Sequence, residues 1–342
     1  MLPSTKQRLR AQILCFCLLF LCMSDSNAFA SGIHHYVFFS RERQGIHDAK
    51  FLNTKALEGA QLTYTWRELE PAPDAYDFGD IRKDLEFLTS KGKRLFIQLQ
   101  DVTFSPKFIC IPKYLLNDAR FHGGAEKQYH IEGEDEAHAT VEGWVARRWD
   151  TAVQERFHKL LLALGKEFDG KIEGINLAET AVEFGESGRL FPKDFTPEVY
   201  RDAILTNMVA LKRAFPKSVT LLYANFMPGE WLPGKDKNYL RSVYQRAREL
   251  KVGVGGPDLK PYALGQRNHS YPLIRASHGS VPTGIAVQDG DYAPKNPKTG
   301  KPMPISGLLG FANDYLKVDY IFWCTEEPFY SKQLLPFLHR SR

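Results

Sequence analysis

Eight short apolar runs, separated by amphipathic stretches, limit the folds open to this chain more than any other feature. They are HHYVFFS (34–40), AQLTYTW (60–66), RLFIQLQ (94–100), IEGINLA (172–178), VTLLYAN (219–225), VGVGG (252–256), TGIAVQD (283–289) and DYIFWCT (319–325). Short and rich in β-branched and aromatic residues, they suit strands buried on both faces. Between them, DIRKDLEFLTSKGK places Ile81, Leu85 and Leu88 on one stripe behind Asp80 as a helix N-cap. DTAVQERFHKLLLALGKEF aligns Val153, Phe157, Leu160, Leu161 and Leu164 behind Asp150, and FTPEVYRDAILTNMVALKRAF opens with Thr196 as cap and Pro197 in the first helical position. KNYLRSVYQRARELK, PISGLLGFANDYLK and SKQLLPFLHR continue the pattern more weakly. Alternating strands and helices without a linker predict an α/β chain folded as one closed (β/α)8 TIM barrel. The competing doubly wound sheet lacks a glycine-rich phosphate loop after its first strand.

The barrel is expected over 31–342, because residues 1–30 read as a signal peptide. Lys6, Arg8 and Arg10 precede the apolar ILCFCLLFLCM, too short to span a bilayer, and AFA closes the segment with cleavage expected after Ala30. Export to the periplasm or the extracellular space is the expectation, with no membrane attachment after cleavage and a monomeric product. Cys15, Cys17 and Cys22 leave with that segment, so Cys110 and Cys324 remain, either as one bridge or as two separate buried thiols. The formal charge of +5 falls further once the basic leader is removed, and no basic run stands out, which excludes a nucleic-acid surface. No metal ligand cluster and no cofactor motif is visible.

The connection after the third strand is anomalous. From about Asp101 to Trp149 it holds Phe104, Phe108, Tyr114, Phe121, Tyr129, Trp144 and Trp149. Long connections inside a compact domain are usually functional, and this one is expected on the barrel's catalytic face, with Trp144 and Trp149 turned towards the opening.

Barrel enzymes keep reactive groups where strands end at the C-terminal face. Those ends supply Trp66 and Arg67, then Gln98, Gln100 and Asp101, then Asn176 and Glu179. Tyr223, Asn225, Asp258, Gln288, Asp289 and Asp291 follow, and Trp323, Glu326 and Glu327 close the set. Carboxylates, amides and aromatics suit sugars: hydroxyls meet the polar groups, and the apolar ring face meets Trp or Tyr. Glycosidic cleavage needs one carboxylic acid to protonate the leaving oxygen and a second carboxylate to attack or to activate water. Each residue also has a structural reading. Glu179 equally ends a solvated strand, Asp289 and Asp291 spell a tight turn around Gly290, and Glu326 and Glu327 stand where the last helix begins. Asp258 suits an N-cap, and Trp323 suits either the core or a sugar platform.

One stretch carries a resemblance. Tyr64 to Leu99, with Trp66, Leu69-Glu70-Pro71, Tyr76-Asp77-Phe78 and the GKRL of Gly92 to Leu95, resembles the strand 2 to strand 3 region of clan A glycoside hydrolases, especially the β-galactosidase-like branch. The resemblance implies a barrel, a carbohydrate substrate and paired carboxylates, with an acid/base glutamate ending strand 4 and a nucleophile glutamate ending strand 7. Glu179 matches the first position, although Ala178 stands where the clan has asparagine. Strand 7 offers Asp289 instead of glutamate, and Glu327 on strand 8 is the second choice of partner. A carboxylate separation of about 5–5.5 Å implies retention and about 6.5–9.5 Å inversion. Without a partner for Glu179, the barrel would bind glycan and not cleave it.

Overall fold

The computed structural model of the protein describes residues 32–340 except 134 and 298. The signal-peptide reading and its expected cleavage at Ala30 lie outside the described residues. From Ile33 onward the chain forms one compact unit.

Strands β1 (His34–Ser40), β2 (Leu57–Thr65) and β3 (Arg94–Gln100) come first; β4 (Val102–Thr103), β5 (Ala125–His130) and β6 (Thr140–Ala146) belong to the long connection. Then follow β7 (Gly174–Leu177), β8 (Val219–Tyr223), β9 (Gly253–Gly256), β10 (Thr283–Val287) and β11 (Tyr320–Cys324). Eight of these close into a barrel in the order β1-β11-β10-β9-β8-β7-β3-β2. Every barrel pairing is parallel, and closure is made where His35 faces both Ile321 and Leu57. This is the (β/α)8 fold.

Alternation along each strand divides the core in two. Tyr36, Phe96, Leu221, Tyr223, Ala286, Tyr320 and Phe322 fill the barrel interior. Phe96 packs edge to face on Tyr36, Tyr320 and Phe322, the last with centroids 5.0 Å apart. The intervening residues point outward against the helices. Trp323 is one of these: fully buried, it donates from Nε1 to His35 Nδ1 at 3.1 Å. Of the two readings of Trp323, core and sugar platform, the core one holds, because its even-numbered neighbours Phe322 and Cys324 take the inward positions.

Helix starts follow local chemistry. Asp150 caps Thr151–Phe168 by accepting from Ala152 and Val153 N–H at 3.0 and 3.1 Å. Thr196 caps Pro197–Ala214 with proline in the first turn. Asp80 is not a cap: the helix Gly79–Ser90 starts one residue earlier, Asp77 accepts from Gly79 N–H at 2.9 Å, and Asp80 pairs with Arg43. Tyr239–Leu250 is capped from a distance by buried Glu230, which accepts from Tyr239 and Leu240 N–H at 2.8 and 3.0 Å. Among the described residues no helix is long and apolar enough to cross a membrane. Cys110 and Cys324 are separate, free and buried.

The long connection is not an irregular lid. It folds into a three-stranded antiparallel sheet, β4-β6-β5, where Gly143 lies so close to Thr103 that a Cβ would sit 1.7 Å from the Thr103 carbonyl oxygen. Arg148 anchors its end, donating to both Asp101 oxygens at 2.6 and 2.7 Å, to the Glu179 carbonyl at 2.8 Å and to Tyr200 Oη at 2.7 Å.

Candidate functional site

A cavity of about 290 Å³ opens at the C-terminal mouth of the barrel. Glu179, two residues beyond β7, lines it, as do Gln98 and Gln100 from β3, Tyr223 at the end of β8, and Gln288 and Asp289 just past β10. Its remaining wall includes Phe38, Glu42, Thr63, Phe104, Cys324 and Thr325, and among the described residues no Lys, Arg or His lines it. The lining is thus rich in amides, hydroxyls and carboxylates.

Glu179 is held from behind. Asn225 Nδ2 donates to its Oε2 at 2.6 Å, while Asn225 Oδ1 accepts from Ala181 N–H at 3.1 Å, which fixes which end of the amide faces the acid. Burial raises the Glu179 carboxyl to about 7; the Asn225 bond opposes that rise, and the nearby Asp258 charge adds to it. Burial outweighs the hydrogen bond, so the acid gains and loses its proton close to neutrality instead of in the ordinary carboxylate range.

Asp258 in turn pairs with Lys260 at 3.2 Å, and Lys260 reaches buried Asp291 at the same distance. Asp291 accepts from Leu259 and Gln288 N–H at 3.0 Å, so it ties the β9 and β10 ends together. Its carboxyl is raised to about 6 by burial and by Asp258. The tight turn read around Gly290, which has φ +88°, is therefore real, and Asp291 belongs to it while Asp289 faces the cavity.

Beneath the opening, Gln61 Nε2 donates to Tyr223 Oη at 3.3 Å and Thr63 Oγ1 to Gln98 Oε1 at 2.7 Å. Asn176 points into the barrel interior, fully buried, and neither end of its amide has a protein partner. It lies one strand position below the cavity wall formed by Ala178.

Other sequence candidates fall outside this cavity. Trp66 is fully buried, with its edge against Phe157 and its Nε1 donating to Glu70 Oε2 at 2.8 Å. Glu70 also pairs with Arg156, so the Leu-Glu-Pro segment locks a helix against β2 and takes no part in the opening. Arg67 donates to the Ile111 carbonyl at 2.9 Å and pins the long connection. Glu326 accepts from Gly290 N–H at 2.7 Å. Glu327 is exposed and turned to Ser331, accepting from its Oγ at 2.5 Å; it does not line the cavity with Glu179 and stands in the turn before the last helical segment, which begins at Tyr330. Trp149 packs against Phe184 and Phe195, and Trp144 donates to the Pro106 carbonyl at 3.1 Å. Neither tryptophan turns to the opening as expected.

Several lining residues escape strand-end reading. Glu42 stands after β1, where RER looks like surface charge, and Phe104 sits in the first turn of the long connection. Cys324 is the inward residue ending β11; burial pushes its thiol up to about 12, and Asp289 lies beside it. Asp289, Cys324 and Glu326 bring one ligand atom each to within 4.8 Å, the one such group among the described residues.

No family model and no curated protein matches the sequence. Among solved structures, xylanase 10B from Thermotoga petrophila RKU-1 aligns with 85% of this chain and 82% of its own at 14% identity and a TM-score of 0.47. Endo-glycoceramidase II from Rhodococcus sp. aligns with 86% of this chain and 73% of its own at 12% identity and a TM-score of 0.48. Likenesses this distant carry no weight for activity.

Proposed function

We propose that the protein is an exported glycoside hydrolase acting on an oligo- or polysaccharide, with Glu179 as proton donor. The carrying observation is the placement of Glu179: held by Asn225 on the cavity wall, with burial raising its carboxyl to about 7 and no cation among the described lining residues. A buried carboxylic acid that keeps its proton near neutrality is what leaving-group protonation requires. With one oxygen committed to Asn225, the other is left to carry the proton.

In cleavage, Glu179 gives that proton to the glycosidic oxygen, and the bonding pair between anomeric carbon and oxygen departs with the leaving sugar. Asp289 supplies the second carboxylate, either attacking the anomeric carbon or taking a proton from attacking water. Gln98, Gln100 and Gln288 offer amides to ring hydroxyls, and Phe104 and Tyr223 offer apolar surface. Aspartate in place of glutamate shortens the second arm by one methylene, and Glu42 is a further carboxylate on the same wall.

Release of reducing ends from a panel of neutral and charged polysaccharides tests the reading. Turnover that falls by orders of magnitude in Glu179→Gln and in Asp289→Asn, with binding retained, supports it. Glycan binding by the native chain with no turnover on any member would instead make this a binding barrel. A secreted chain beginning at Ser31 would support export, and an intact Met1 in the secreted pool would contradict it.

A further inference from the structure

The cavity at Glu179 does not end at Phe104. This ring, 53% exposed, also lines a second cavity of about 330 Å³, which shares Glu183, Gly185, Glu186 and Trp231 with a third of about 820 Å³. Together they trace a groove leading from the candidate acid across the long connection to Trp231.

Trp231 is the largest exposed apolar side chain along that path, at 56%. It is a fixed surface: it stacks on Phe226 with planes 7° apart and leans on His269, and its backbone exchanges two hydrogen bonds with Lys235. A held indole face suits the apolar side of a sugar ring.

The polar lining beside it is one-sided. Glu142 is half-buried, and among the described residues no hydrogen bond or ion pair reaches its carboxylate. Among the described residues the Glu183 carboxylate accepts only from Gly185 N–H at 2.7 Å, and burial together with the charges of Glu186, Glu136 and Glu142 holds it above the usual range. Among the described residues the single cation lining the groove, Lys235, is already paired with Glu186. An independent sign comes from Gln128. It is fully buried behind the cavity wall, its Nε2 donates to the Thr103 carbonyl at 2.7 Å, and its Oε1 has no protein donor. The groove therefore presents acceptors in excess, beside an aromatic plate. Glu142 and Glu183 do not belong to a group whose ligand atoms converge as a metal site would require.

We propose that this groove binds a sugar unit carrying a free, protonated amine, so that the glycan served by the cleft is one with unacetylated amino sugars. Glu142 and Glu183 receive the ammonium, and Trp231 carries the ring. The proposal rests on the glycan reading of the cleft and adds the charge of the ligand to it. A hydrogen bond to a charged group is strong enough to favour an ammonium over its acetylated form by about tenfold.

Monosaccharides remove the question of linkage. Glucosamine and galactosamine, with their N-acetyl forms, glucose, galactose and methylammonium, are titrated while the Trp231 indole N–H resonance is followed, assigned with Trp231→Phe. Expected is binding of the amino sugars about tenfold tighter than of their N-acetyl forms, with Glu142→Gln and Glu183→Gln each bringing the two close to parity and leaving neutral sugars unchanged. Equal binding of neutral and amino sugars overturns the inference but leaves the hydrolase reading intact. So does Glu179-dependent turnover of a glycan with no response at Trp231. Methylammonium binding as well as the amino sugars would show a charge site without sugar recognition, which also overturns it. No sugar response and no turnover would remove both.

Discussion

At Glu179 two effects of opposite sign meet, and their balance is testable. Burial favours the neutral acid, and the Asn225 donor favours the carboxylate. Replacing Asn225 with Ala removes the second effect, so the alkaline limb of the pH–rate profile should move above its native position near 7; a downward move would contradict the assignment. Burial also makes the residue a stability liability. The native carboxyl binds its proton up to about 7, whereas an unfolded glutamate loses it near the ordinary value of 4.5. Between these limits the folded state holds more protons, so stability falls as pH rises. Glu179→Gln should therefore be more stable than the native chain in mildly alkaline buffer, by roughly 1–3 kcal/mol, and no more stable in acid below the unfolded value. Denaturant titrations at both ends check this. Glu179 was legible from its place after an apolar run. Glu327 was not: its distance beyond β11 is only a few residues, but it is spent as a partner of Ser331.

Among elements, the long connection separates what sequence reading reached from what it missed. Its length and aromatic content marked it as important, and it does bring Phe104, Gln128 and Glu142 to the groove. The alternation in AEKQYH and TVEGWVA is too short and too polar to announce β5 and β6, so the tryptophans looked free to face the ligand. In the folded sheet, Trp149 is core. Trp149→Ala should cost about 3–5 kcal/mol of stability and leave glycan affinity unchanged, while Phe104→Ala should weaken binding and leave the melting temperature within a few degrees. The reverse pattern would restore the tryptophans to the site. Arg148 joins this element to the catalytic strand ends. Arg148→Met strands a buried Asp101 and frees the Glu179 carbonyl, so a loss of about 3–5 kcal/mol, read by denaturant titration, should accompany reduced turnover. For Trp323, which suited either the core or a sugar platform, counting in twos from the inward Phe322 already decides for the core.

For the molecule as a whole, the barrel was readable because parallel strands buried on both faces leave apolar runs that stand out from amphipathic helices. The convergence of β3, β7, β8 and β10 ends on one opening follows from that topology alone. Which side chains actually reach the opening depends on parity, turn geometry and competing ion pairs, none of which composition encodes; the Leu-Glu-Pro segment, with Glu70 locked to Arg156 and Trp66, makes the point. A proton-donating Glu179 at this mouth is the claim on which the functional reading depends. Its most direct test is turnover of native protein and Glu179→Gln on paired substrates of one glycan, one with an ordinary sugar leaving group and one with a strongly acidic aryl leaving group. If Glu179 protonates the departing oxygen, the variant loses orders of magnitude on the first and far less on the second, which needs no protonation. Equal loss on both substrates, or full activity on the unactivated glycan, would contradict it.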